Sequence, residues 1–126
     1  MNWGGIQMAN KKMTEFTLVD VIERQIHFIK TNTLFDRKEY ETYNEGSLLA
    51  LNEMLADVEE MSEDEFTNKY LNILRKLADQ FEEFREDEFK DEGEVDKLSG
   101  YNNSIVSIMM CINPHYQYPS EDWVHK

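Results

Sequence analysis

The sequence predicts an all-α protein, a single-domain bundle of about four amphipathic helices with a flexible N-terminal arm. Three observations carry that expectation. Apolar residues recur at spacings of three and four along four separate stretches, three of those stretches open on a capping pattern, and the connections between them are short. With 126 residues there is room for one core and little for a second.

Residues 1–13 (MNWGGIQMANKKM) hold paired glycines and mixed polarity without a period. They are expected as the arm, with Met8 and Met13 as alternative starts. The helical domain is then expected over residues 14–126, its helices ending near residue 113. Thr17 with Asp20 has the capping-box spacing, in which side chains cover free N–H groups of a first helical turn. Leu18, Ile22, Ile26 and Ile29 follow on one face, and Asn32 and Thr33 are expected to end this helix. Asp36 with Glu39 repeats the capping spacing ahead of a stripe of Tyr40, Tyr43, Leu48, Leu51, Leu55 and Val58. Gly46 interrupts that stripe at a cost of about 1 kcal/mol relative to Ala, which suggests a bend or a close helix–helix contact. Ser62 with Glu65 is a third capping box and implies a break near Met61. Behind it Phe66, Tyr70, Ile73, Leu77, Phe81 and Phe84 form a seam close to a heptad. Gly93 is the expected stop of this third helix. Leu98, Tyr101, Ile105, Ile108 and Ile112 form a last stripe that Pro114 closes. Its Ile- and Val-rich composition leaves a strand open as an alternative over residues 101–112, although fifteen residues is long for one. An aromatic C-terminal tail with Tyr116, Tyr118, Pro119 and Trp123 is expected to fold back over the bundle.

Composition excludes several function classes. Thirteen basic residues face 26 acidic ones, for a net charge of −13. Such a field repels phosphates, so no direct contact with nucleic acid and none with an anionic membrane is expected. The single cysteine, Cys111, rules out an internal disulfide or a Cys-based zinc cluster and fits a cytoplasmic setting. No run of about 18 apolar residues offers a membrane span, and residues 1–13 lack the apolar stretch of a secretory signal.

Catalytic patterns are scarce. Cys111 stands in an apolar run, where a buried, inert thiol is expected. His27, His115 and His125 are scattered. Glu23 and His27, four apart, could supply two metal ligands but not a site, and the Glu-x-x-His spacing of ferritin-type di-iron bundles is absent. With Gly93 as the sixth position of an EF-hand loop, Lys90 and Ser99 would fall at ligand positions, which breaks the pattern. No phosphate-cradling glycine loop is present. No metal and no cofactor is expected.

Acidic runs are the most distinctive feature. Residues 57–65 hold six carboxylates in nine positions, and residues 79–96 hold ten in eighteen. Asp79, Glu83 and Asp87 are spaced four apart, with Glu82 and Glu86 beside them. Carboxylates at that spacing lie about 6 Å apart along a helix, close to the repeat of phosphates along a nucleic-acid strand, so the ridge can imitate a phosphate backbone. A solvated face is the plainer reading of such a run.

Two resemblances follow from these residues. Glu59, Glu60 and Glu63, with Glu88 and Asp91 downstream, resemble the E-E-x-x-E and E-x-x-D motifs of the all-α nucleoside triphosphate pyrophosphohydrolases. That resemblance implies a Mg²⁺-dependent enzyme and requires Glu59, Glu60 and Glu63 on one continuous helix, whereas Ser62 has the pattern of a cap that breaks it. Residues 39–58 (EYETYNEGSLLALNEMLADV) are similar in phrasing to small acidic accessory proteins of Gram-positive phages and mobile elements. Some proteins of that kind, anti-CRISPR proteins among them, are acidic inhibitors that occupy nucleic-acid channels of host enzymes. The resemblance implies an inhibitor of that sort.

The expectation is therefore a non-enzymatic acidic protein that binds and inhibits or regulates a basic, nucleic-acid-processing partner, such as a host nuclease. Its expected partner-binding residues are Asp57, Glu60, Glu63 and Asp64 at one corner, with Asp79, Glu82, Glu83, Glu86 and Asp87 along the third helix. A scaffold or oligomeric bundle docking through its apolar seam is the alternative. The aromatic seam also suggests a homodimer.

Overall fold

The computed structural model describes residues 10–31 and 40–117, with side chains over 18–31 and 40–116. Four α-helices follow one another: α1 (Asn10–Thr31), α2 (Glu41–Glu60), α3 (Glu63–Glu86) and α4 (Glu92–Ile112), then a 3₁₀ turn at Pro114–Gln117. Among the described residues there is no strand, so the all-α expectation holds and the last stripe is a helix. No helix among them is long and apolar enough to cross a membrane.

The first helix starts earlier than its capping pattern suggests. Thr17 lies inside α1, which begins at Asn10 and takes in the last four residues of the expected arm; residues 1–9 lie outside the described residues. Lys11, Lys12 and Met13 are good helix formers with no breaker among them, so a helix seeded by the core residues Leu18 and Ile22 extends backward through them. At the other end the Thr31 hydroxyl donates to the His27 carbonyl at 2.8 Å. The Asp36–Glu39 capping pattern lies outside the described residues, and α2 opens at Glu41 after Tyr40, which supplies no side-chain cap.

The break between α2 and α3 falls where the sequence placed it. Ser62 Oγ accepts from the Glu65 N–H at 3.2 Å, and the Ser62 N–H donates to the Glu65 carboxylate at 3.1 Å. Both halves of the capping box are present. Gly93, in contrast, does not stop α3. That helix ends at Glu86, and Gly93 is the second residue of α4, whose cap is Asp91; its carboxylate accepts from the N–H groups of Gly93 at 2.9 Å and Glu94 at 3.3 Å. An aspartate that satisfies two orphan N–H groups and sits at the positive end of the helix dipole favours a helix start there.

At the centre, α2 and α4 pass each other antiparallel, with Tyr43 beside Gly100 and Gly46 beside Lys97. The approach is so close that a Cβ added to Gly46 would lie 1.8 Å from the Lys97 carbonyl oxygen, and one added to Gly100 would lie 2.0 Å from that of Tyr43. Ser47 Oγ donates to the Gly100 carbonyl at 3.2 Å across the same contact. This is the close contact that Gly46 announced. It also rotates α2 away from the expected stripe. Gly46, Ser47 and Ala50 join Leu51, Met54 and Val58 inside, while Leu48 and Leu55 are half-buried and Tyr40 is exposed. Helix α1 leans mainly on α2, and α3 mainly on α4.

The α3 seam supplies much of the core. Phe66 and Tyr70 are fully buried with ring centroids 4.8 Å apart, Leu71, Leu74 and Leu77 are buried behind them, and Phe81 and Phe84 are half-buried. Ile105, Ile108 and Met109 of α4 complete it. At the end of α4 the Asn113 N–H donates to the Met109 carbonyl, and Tyr116 of the 3₁₀ turn packs back on the core. Tyr118, Pro119 and Trp123 of the expected tail lie outside the described residues.

Candidate functional site

Eight of the nine expected partner-binding carboxylates are exposed: Glu60, Glu63, Asp64, Asp79, Glu82, Glu83, Glu86 and Asp87. Asp57 is not one of them. Its carboxylate turns inward between α2 and α3, accepts a hydrogen bond from the Tyr70 hydroxyl at 2.6 Å and pairs with the Lys69 ammonium. Burial raises the pKa of this carboxyl, but the bonds from Lys69 and Tyr70 and the ammonium charge outweigh it and hold the value below the usual carboxylate range. Asp57 braces the α2–α3 corner through these two contacts. A neighbouring pair does the same work, since the Tyr101 hydroxyl donates to the Glu53 carboxylate at 2.8 Å. Burial first, and then the adjacent carboxylates, push both tyrosine pKa values up, so the two phenols stay protonated and act as donors.

The exposed eight do not form one patch. Asp64 and Asp79 are fifteen residues apart on α3, which is about 22 Å of helix, and Lys69, Arg75 and Lys76 lie between them. The first group has a structural reason to be acidic. Glu63 and Asp64 occupy the first turn of α3, where negative charge complements the helix dipole. The Ser62 N–H and hydroxyl also hold the neighbouring Glu65 carboxyl below its ordinary pKa.

The second group has no such reason. On a helix of 3.6 residues per turn, Asp79, Glu82, Glu83 and Glu86 fall within an arc of about 100°. That arc is roughly opposite the buried stripe of Phe66, Tyr70, Leu74 and Leu77. Glu83 and Glu86 sit in the last turn, at the negative end of the α3 dipole, where they are unfavourable. Only Arg85 lies among them, and it pairs with Glu82 at 2.7 Å. Asp87 follows as the C-terminal cap, and its side chain accepts from the Phe89 N–H at 2.9 Å. That bond shapes a turn from which Phe89 projects with 91% of its surface exposed.

Other sequence candidates fare differently. Cys111 is exposed rather than buried, with Sγ 3.4 Å from the Ser107 carbonyl. Apolar neighbours in sequence do not bury it, because Ile105, Ile108 and Met109 face the core and Cys111 stacks on the Ser107 side of α4. Glu59 and Glu60 end α2 while Glu63 starts α3, so the continuous helix that the pyrophosphohydrolase motif requires is interrupted at Met61 and Ser62. Glu23 and His27 are both exposed on α1 beside Arg24 and Phe28. Among the described residues no group of three or more His, Cys, Asp or Glu side chains is placed to hold a metal ion. His125 lies outside them.

One feature had no signal in the sequence: a cleft of about 410 Å³ between α1, α2 and α4. Its walls draw Phe28, Tyr43 and Ser104 from three different helices, and no local spacing links them.

These features define the class of the chain: an acidic all-α protein whose four helices build on a glycine-tight antiparallel pair. No family model, curated protein or solved structure matches it.

Proposed function

We propose that the chain is a non-enzymatic, acidic binding protein that inhibits or regulates a basic partner of the nucleic-acid-processing kind. It docks through the outer face of the C-terminal half of α3. The observation that supports this reading is the placement of Asp79, Glu82, Glu83 and Glu86, which are exposed and opposite the core in the C-terminal half of their helix, with exposed Asp87 capping it. Spacing of about 6 Å between successive turns suits a surface built to receive phosphates, and complementary charge accelerates encounter with such a surface. Asp57 drops out of the docking set, and Glu60, Glu63 and Asp64 move to its periphery. The apolar seam of the scaffold alternative is largely spent on the protein's own core.

The test uses the full chain as bait in a lysate of its native host. Bound protein is washed at about 0.15 M and about 1 M salt, between which the Debye length falls from about 8 to about 3 Å. A basic partner is expected that is released by the high-salt wash, by a competing oligonucleotide, and by joint reversal of Glu82, Glu83, Glu86 and Asp87 to Lys. A partner that is not basic, or that holds the reversed variant equally well, would falsify the reading. A Mg²⁺-dependent release of pyrophosphate from any nucleoside triphosphate that Glu60→Gln abolishes would replace it with the enzymatic one.

A further inference from the structure

We propose that the cleft between α1, α2 and α4 binds a small, uncharged, planar heterocycle with hydrogen-bond donors and acceptors along one edge, the chemical class to which nucleobases belong. Its volume, about 410 Å³, lies within the range of small-molecule sites, about 300–1,000 Å³. Every described lining residue is uncharged, in a chain where 31% of residues carry charge. Phe28, Ile29 and the Tyr43 ring supply apolar surface on which a planar ring can stack. The lining is otherwise polar, and two of its groups lack partners among the described residues.

Ser104 is only 8% exposed, yet its hydroxyl makes no hydrogen bond among the described residues. Its oxygen is not sealed in the core, because among the described residues no fully enclosed side-chain N or O is left unpaired. The Ser104 hydroxyl therefore opens into the cleft. The half-buried Asn44 amide lines the same cleft and is likewise unpaired among the described residues. Neighbouring polar groups are already committed: Ser47 to the Gly100 carbonyl, and Ser107 to Gln25 at 2.9 Å. An Asn amide presents a donor and an acceptor side by side, the pattern that matches the donor–acceptor edge of a nucleobase or a primary amide. A serine hydroxyl adds one group that gives or receives. A phosphate or carboxylate on the ligand would find no cation among the described lining residues, and the net charge of −13 would repel it.

Isotope-labelled full-length protein titrated with adenine, uracil and nicotinamide, followed by amide NMR, tests the proposal. At least one of the three is expected to give saturable shifts at the Asn44 side chain and the Ser104 backbone. Adenosine monophosphate is expected to bind at least about tenfold more weakly than adenine at low salt. Asn44→Ala and Ser104→Val are each expected to weaken binding about three- to tenfold, the effect of one neutral hydrogen bond, with circular dichroism reporting that the fold is kept. If Ser104→Val does not fold, Asn44→Ala alone carries the test. Absence of saturable shifts with all three probes overturns the proposal. So does equal binding of the monophosphate, or binding that survives both substitutions unchanged.

Discussion

Gly46→Ala replaces a hydrogen by a methyl group where α2 and α4 meet. The new Cβ would lie 1.8 Å from the Lys97 carbonyl oxygen, whereas ordinary van der Waals contact begins near 3.4 Å, so the helices must part by about 1.6 Å. Backbone atoms on both sides leave no flexible side chain to absorb the strain. Overpacking of this kind costs about 1–3 kcal/mol. Parting the helices also breaks the Ser47–Gly100 hydrogen bond, worth about 1 kcal/mol. Against this, alanine favours an α-helix by about 1 kcal/mol over glycine. The expected net loss is about 2 kcal/mol, or about 8 °C in Tm for a chain of this length. Gly93→Ala is the control: its Cβ would meet only the Asp91 carboxylate at 3.2 Å, so the substitution should be neutral or stabilising by up to about 1 kcal/mol. Thermal and urea unfolding of both variants measure the difference. If Gly46→Ala is as stable as the wild type, or behaves like Gly93→Ala, the close crossing is wrong.

Two further outcomes are expected. Asp57→Asn removes the ion pair with Lys69 and weakens the Tyr70 bond, and should lower stability by about 1.5–3 kcal/mol at neutral pH. Because the folded pKa of Asp57 lies below the unfolded value of 3.8, its stabilisation is present above that value and is lost as pH falls through the folded pKa. The stability gap between wild type and variant should therefore close on titration from pH 5 downward, and a gap constant with pH would contradict the assignment. Ser62→Ala removes half of the capping box and should cost about 1 kcal/mol in urea unfolding; no loss would mean that the α2–α3 corner is held by Phe66 and Val58 alone.

The fold was legible to the extent that it depends on local rules. The seam of Phe66, Tyr70 and Leu77 and the Ser62–Glu65 box are both decided within a few residues, and both stand as the spacing implies. Gly46 was legible for another reason: a glycine costs stability inside a helix, so its presence marks a place where a larger residue would cost more. What stayed hidden depends on partners distant in the chain. The register of α2 is set by α4, which prefers Ser47 and Ala50 against it to Leu48 and Leu55. The fate of Asp57 is set by Lys69 and Tyr70 on the next helix, and charge counting alone cannot separate an inward carboxylate from an outward one. The start of α4 turned on Asp91, one more carboxylate among many in a run that looked uniform.

That apparent uniformity conceals two kinds of acidic residue. At the start of a helix a carboxylate lowers the energy of the free state, by capping N–H groups and by meeting the positive end of the dipole, and Glu63, Asp64, Asp91, Glu92 and Glu94 are placed so. At the end of a helix it raises that energy. Asp79, Glu83 and Asp87 repel one another at spacings of four, by a few tenths of a kcal/mol per pair, and Glu83 and Glu86 oppose the α3 dipole as well. The buried residues Phe66, Leu74 and Leu77 hold the helix regardless, so core packing bears the charge on the outer face. A face needed only for solubility could carry mixed charge, or carboxylates at the other end of the helix, without this penalty. On the proposed function, carboxylates concentrated where they destabilise the free protein, with Arg85 the one cation among them, belong to a surface whose favourable energy is realised on contact with a cationic partner.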